Sequence, residues 1–337
     1  RIPESEIPRV AQLISHVVEK NLRAEVGYAG TKLISANDAW TIINKYRIDR
    51  FVEMQGRGEL PRGLKFTLVK THVTSDSLAA LARYAASKGL EVEVVEPYVG
   101  FTLVAEAIIE GWKQGKINLS GNEESGGFSI GGAPPIFYTV LHLMNAHDGF
   151  AVTMDAKGAL HASHADPLFA LDEKSYFGYS QGEIKATLEF LTAKGVVVKN
   201  VQDGSATYSI AAVHQSKRNM KEYWTELEPN FESAPGPRMG KRGHTLEKDG
   251  LLAANLMLEV MAYAKSQGLT LNDYLEKEIY LDPEIGLYMT MNIASEFEPG
   301  AAGEAKKAAV LKNVLGLARK FKEGGDIFIH GKKVTGV

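Results

Sequence analysis

Between Leu64 and Leu119 the chain reads LKFTLV (64–69), SDSLAALARYAASKG (75–89), EVEVV (91–95), LVAEAIIEGW (103–112) and INL (117–119). The first, third and last pieces are short β-rich runs. The second places Leu78, Leu81 and Tyr84 at helical spacing, and the fourth reads as a helix from Leu103 to Trp112. Ser75-Asp76 supplies a helix start, and Lys88-Gly89 a stop with glycine where the chain must turn left-handed. Strand–helix–strand–helix–strand order predicts an α/β fold, a layered α/β domain with a mixed sheet.

Upstream, residues 6–22 predict an amphipathic helix with Ile7, Val10, Leu13, Ile14, Val17 and Val18 on one side. Ser35 and Asp38 form a capping-box-like start for a second helix. Residues 1–63 read as a helical segment, the tail of a preceding domain. Downstream, a Gly/Glu/Ser-rich loop runs from Ser120 to Gly132, and the next helix of similar character begins at Asp249-Gly250-Leu251-Leu252.

Residues 133–242 have a different texture and read as a smaller α+β inserted module. It contains helices over Pro135–Asn145 and Gln181–Lys194, then β-runs Val196–Val198 and Ala206–Val213 around Asp203-Gly204, a hairpin signal. Helix followed by hairpin resembles a winged-helix arrangement. The second helix sets only Lys185 and Lys194 against Glu183 and Glu189, which argues against binding a phosphate backbone. The Pro/Gly-rich stretch Ser233–Arg242 leads back, so 64–132 and 243–285 belong to one α/β domain. Residues 286–337 read as the start of a C-terminal domain, with a strand at Leu287–Ile293, a long helix at Ala305–Phe321 and a strand at Asp326–His330.

Composition narrows the function. The 337 residues are 45% hydrophobic and 23% charged with a net charge of -3, so no broad field draws the chain to nucleic acid or anionic membrane. There is no cysteine, which removes disulfides, thiolate nucleophiles and cysteine-held zinc. No apolar run is long enough to span a bilayer and no signal-peptide pattern opens the chain, so the expected location is cytoplasmic. The chain opens at Arg1 without Met and stops at Val337 directly after a strand-like run, which reads as trimming at both ends.

The chemistry points to Gly121-Asn122-Glu123-Glu124-Ser125-Gly126-Gly127. Gly121 and Gly126 let the backbone turn sharply and approach a ligand closely. Glu123 and Ser125 are two apart, which in an extended loop points both side chains to one side. A carboxylate and a hydroxyl together accept from and donate to neighbouring sugar hydroxyls. Adjacent carboxylates point apart, so of Glu123 and Glu124 one faces inward. Lys70, at the end of its strand, reads either as a surface lysine or as one that faces a ligand. His244 reads as a helix cap, a solvent-facing side chain or, when charged, a donor to phosphate. Asp249 suits a helix N-terminus.

Four stretches stand in the order found in the third, sugar-binding domain of the α-D-phosphohexomutases. Val69-Lys70-Thr71-His72-Val73-Thr74-Ser75 resembles the family's "VKTxVTS", and Glu96-Pro97-Tyr98-Val99-Gly100-Phe101 its "TPVGF". Gly121 to Gly127 resembles "GGEESGG", and Gly243-His244 with Lys248-Asp249-Gly250-Leu251-Leu252-Ala253-Ala254 resembles "GH…KDGLLAALLLLE". The resemblance covers about 64–132 and 243–280. It implies that Glu123 and Ser125 bind sugar hydroxyls, that Lys70 helps hold the phosphosugar, and that the intact protein moves phosphate between C1 and C6 of a hexose. It implies Mg²⁺ as cofactor and a hexose phosphate as substrate. Asn122 departs from the family's glycine, and Thr102 from a lysine frequent in glucomutase-like members.

The family's phosphoserine loop, aspartate cluster and "RPSGTEP" loop are not found in the sequence, so this chain alone is expected to recognise sugar without turnover. His161-Ala162-Ser163-His164-Ala165-Asp166-Pro167 resembles the phosphoserine loop, which makes Ser163 a candidate nucleophile, but it lies in the inserted module and lacks the loop's following residues. His142, His147, His161 and His164 lack a carboxylate partner pattern and read as structural or exposed, so no metal site is assigned. The alternative is a non-catalytic sugar-phosphate-binding or protein-interaction fragment, with the insertion as a surface for self-association.

Overall fold

A computed structural model describes residues 34–146, 150–164, 166, 176–211, 240–288, 297–329 and 332–333. The helix expected over 6–22 and His147 lie outside the described residues, as does most of 233–242. The chain divides into two compact units, Arg1–Tyr288 and Met289–Val337.

The first unit is an α/β arrangement on a four-stranded mixed sheet. Its elements are α1 (Ala36–Gly56), β1 (Lys65–Lys70), α2 (Ser77–Ser87), β2 (Glu91–Val95), α3 (Phe101–Lys113), β3 (Ile117–Asn122) and β4 (Phe128–Ser129). The order is β2-β1-β3-β4; β1 pairs parallel with β2 and β3, and β4 returns antiparallel to β3. Ser35 caps α1, its hydroxyl oxygen accepting from the Asp38 N–H at 3.1 Å. The stop read at Lys88-Gly89 holds, with Gly89 at φ 83°.

Alternation along β1 sends Phe66 and Leu68 into the core under α1 and α2, while Val69 joins the core under α3. The β1–β3 register shifts between Thr67 and Leu68, so Thr67 faces Asn118 but Leu68 faces Ser120. That bulge turns Ser120 and Asn122 towards α1. There Asn44 satisfies both, its Oδ1 accepting from the Ser120 hydroxyl at 2.7 Å and its Nδ2 donating to Asn122 Oδ1 at 3.1 Å. Asn122 Nδ2 donates to Val69 O at 2.9 Å. β3 therefore runs on to Asn122, beyond the Leu119 end expected from sequence.

The module supplies α4 (Ile136–Ala146), β5 (Ala151–Met154), β6 (Leu160–Ala162), α5 (Gln181–Ala193), β7 (Val197–Gln202) and β8 (Ser205–Ile210). Its strands form an antiparallel sheet in the order β6-β5-β8-β7. Asp203 and Gly204 both take positive φ, 49° and 76°, as a two-residue hairpin turn demands. Its core is shared with the first sheet: Phe101, Val104, Ile108 and Trp112 of α3 pack with Phe137, Val140, Leu141, Ile184 and Tyr208.

The module leaves and returns at one glycine-lined neck. Gly132 exchanges both backbone hydrogen bonds with Asn118, and Ala133 N–H donates to Lys241 O at 2.9 Å. A Cβ on Gly132 (φ 68°) would overlap the backbone of Arg242 and Gly243, and one on Gly240 would overlap the carbonyl of Ala133. After the neck come α6 (Gly250–Ser266) and α7 (Leu271–Leu275), which continues into a π-helical turn, Glu276–Tyr280. α6 packs on α1, with the Tyr46 hydroxyl donating to Glu259 at 2.8 Å.

The second unit holds α8 (Ala301–Lys322) and a short antiparallel pair, β9 (Phe328–Ile329) with β10 (Lys332–Lys333). Leu287 and Tyr288 are not in a strand, and the rest of the run expected there lies outside the described residues.

Burial gives the first unit an alkaline limit. The Tyr46 phenol is pushed up to about 12 by burial and then by Glu259. Tyr84, Tyr179, Tyr274 and Tyr280 are raised too, with burial the leading cause in each. Raised phenols keep their protons in the folded chain after the unfolded chain has begun to lose them near pH ~10, so their stabilisation is whole below that pH and is lost as pH climbs through the folded values. Arg47, lowered to about 10 by burial, has the opposite sign. Its penalty is present at neutral pH and fades above about pH 10. Five phenols outweigh one guanidinium, so the urea midpoint is expected to fall as pH rises from about 9 to about 11. A flat midpoint over that range would contradict these buried phenols.

Candidate functional site at the carboxyl edge of the sheet

The strands β1, β2 and β3 run parallel, so their carboxyl ends and the loops that follow share one edge. In open α/β sheets this is the edge where ligands bind. Here it gathers the loops 71–76, 96–100 and 123–127.

The 123–127 turn is a tight hairpin connection. Glu123 N–H donates to Gly127 O at 2.8 Å and Gly126 N–H to Glu123 O at 3.2 Å. Gly126 has φ 94°, and a Cβ there would meet nothing within 4 Å, so its backbone lies open to an approaching molecule. Gly121, by contrast, is buried in β3, where a Cβ would press into Val104, Ser129 and Ile108. Gly121 thus serves packing and is not brought to the open part of the turn.

Glu123 faces inward and is 1% exposed. Its Oε1 accepts from the Gly100 N–H at 3.0 Å. Its Oε2 lies 2.9 Å from Lys248 Nζ and accepts from the Ser125 hydroxyl at 3.3 Å. Its carbonyl accepts from the Trp40 indole N–H at 2.7 Å. The carboxylate is desolvated, but a charge and two donors satisfy it. Ser125 is exposed, so the expected pair does come together, with the acid inside and the hydroxyl at the surface. Glu124 is half-buried on the other side, accepting from Thr71 Oγ1 at 3.4 Å.

Lys70 reaches the same edge, and its side chain is fully buried. Its Nζ meets Asp76 Oδ1 at 3.0 Å, Glu96 Oε1 at 3.0 Å and Thr74 O at 3.2 Å. An ammonium has three N–H donors, and three acceptors of the protein take them. Lys70 therefore ties the loops after β1 and β2 together from behind, a different placement from the ligand-facing one expected. Glu96 also lies 3.5 Å from His72 Nδ1.

His244 is half-exposed, with Nδ1 2.6 Å from Asp249 Oδ2. Asp249 is the N-cap of α6, its Oδ1 accepting from the Leu252 N–H at 2.8 Å. His244 thus acts on the cap through Asp249 and does not itself cap the helix. Asp249 N–H donates to Phe128 O at 2.7 Å, which fastens 243–249 along β4 and delivers Lys248 to Glu123.

Ser163 is placed elsewhere, at the end of β6 in the module sheet. Its Oγ accepts from the Ala151 N–H at 2.9 Å and lies 3.0 Å from His164 Nδ1. His161 pairs with Asp155 at 3.5 Å, and the His142 ring lies over Gly115. Among the described residues, no three His, Asp or Glu side chains are grouped to hold a metal ion.

The sequence reading missed Lys248, Trp40 and Gly100 as partners of Glu123. Lys248 and Gly100 lie within the 243–254 and 96–101 stretches, yet only three-dimensional pairing shows that they converge on one carboxylate. No protein-family model, curated protein or solved structure matches the chain.

Proposed function

We propose that this chain is the sugar-recognising part of an α-D-phosphohexomutase, with the carboxyl-edge turn at 123–127 as the seat of a hexose phosphate. The observation that carries the reading is the buried Glu123 carboxylate, held between the half-exposed Lys248 and the exposed Ser125 at the carboxyl edge of three parallel strands of the mixed sheet. Ser125 and the open backbone at Gly126 meet sugar hydroxyls. Glu123 fixes the position of Ser125 and of Lys248, whose ammonium stays paired with the carboxylate and has further N–H donors for a phosphate oxygen. Lys70 holds the edge rigid. Transfer between C1 and C6, the Mg²⁺ and the phosphoserine belong to the proposed whole enzyme, and sugar recognition at this turn does not depend on them.

Calorimetric titration with glucose 6-phosphate and mannose 6-phosphate tests the reading. Glu123→Gln removes the charge that holds Lys248, and the expected loss is about tenfold in affinity or more, the scale of a charge-assisted hydrogen bond. Equal binding by the variant, or no binding by the unaltered chain, would refute the seat.

A further inference from the structure

Beside the polar turn lies an apolar rim whose most prominent member is a tyrosine. Tyr98 is 76% exposed, Val99 57% and Val73 47%, all in the loops after β1 and β2. Large exposed apolar groups gathered at one place mark binding surfaces more often than idle ones.

The loop that carries Tyr98 is not slack. Pro97 O accepts from the His72 N–H at 3.2 Å, and Gly100 N–H donates to Glu123. The Tyr98 ring meets the His72 imidazole edge-on, with centroids 5.2 Å apart and planes at 73°. His72 is itself placed by Glu96, which also grips Lys70. The ring is therefore anchored by one contact with His72 and open to solvent over most of its surface. The residue two further on donates to the acid of the turn.

A pyranose has a polar edge of hydroxyls and an apolar face of axial C–H bonds. Binding it well takes donors and acceptors for the edge and a flat apolar surface for the face. We infer that Tyr98 is the stacking platform for the C–H face of a hexopyranose whose hydroxyls meet Ser125 and Gly126. This rests on the proposed sugar-phosphate seat and adds a residue that selects the ring, separate from the groups that meet hydroxyls and phosphate.

Saturation-transfer NMR and titration of the full chain with glucose 6-phosphate and, separately, inorganic phosphate provide the test. Tyr98→Ala is expected to weaken glucose 6-phosphate about fivefold and to erase transfer to the ring C–H protons, on the scale of an aromatic stacking contact. Tyr98→Phe is expected to keep both, and inorganic phosphate is expected to bind all three proteins alike. If Tyr98→Ala binds the sugar phosphate as the unaltered chain does while Glu123→Gln loses it, the platform is wrong and the seat stands. Equal weakening of inorganic phosphate would mean a damaged edge and would overturn the stacking role. No sugar phosphate binding by the unaltered chain would overturn both.

Discussion

Gly132→Ala is expected to lower stability by about 4 kcal/mol, enough to unfold much of a marginally stable chain. Two effects add. Gly132 sits at φ 68°, where an L side chain costs about 1–2 kcal/mol. Its Cβ would also overlap the backbone of Arg242 and Gly243, which has no rotamer with which to give way. Retreat would break the paired hydrogen bonds between Gly132 and Asn118 and loosen the indole of Trp112, which donates to Gly132 O at 3.1 Å. Gly126→Ala separates the two effects, because Gly126 has φ 94° but open space around it. That variant is expected to lose only about 1–2 kcal/mol. Urea unfolding with unchanged slope provides the comparison. Similar losses for the two variants would show that the neck is not closely packed.

Lys70→Ala has the next largest expected effect, a loss of about 3 kcal/mol. Removing one member of a buried ion pair typically costs about 3–5 kcal/mol, because the other charge is left without compensation. Here the lysine is wholly buried, but Asp76 is 71% and Glu96 38% exposed on their side chains, so water relieves part of the loss. The low end of the range applies. Lys70→Met keeps most of the volume and is expected to lose less, about 1–2 kcal/mol. Urea midpoints of the two variants decide between a structural tie and a ligand-facing lysine. A ligand-facing Lys70 would leave stability nearly unchanged and weaken only sugar phosphate binding.

Local signals carried much of the α/β unit. Ser35 with Asp38, Gly89, and Asp203-Gly204 each perform a task that the residue type itself announces: a cap, a left-handed stop, a tight hairpin turn. The end of β3 was not legible in that way. Ser120, Gly121 and Asn122 have poor strand propensity, and they are strand because β1 pairs with them and Asn44 satisfies the side chains of Ser120 and Asn122. The same limit applied at the site. Nothing local to Lys70 announces that Asp76, Glu96 and Thr74 accept from its three N–H groups, and nothing local to Lys248 announces Glu123. The module's β5 and β6 were also missed: Ala151–Met154 and Leu160–Ala162 are too short to show alternation.

The Glu123–Lys248 pair joins residues on opposite sides of the inserted module. Closing a long flexible loop costs entropy that grows with its length, whereas a folded insert whose ends already touch acts as a short one. The neck at Gly132 and Gly240 brings those ends together. Melting the insert would lengthen the tether and raise the entropic cost of returning the ammonium to its carboxylate. Ordering of residues 133–242 is thus expected to strengthen the Glu123–Lys248 pair.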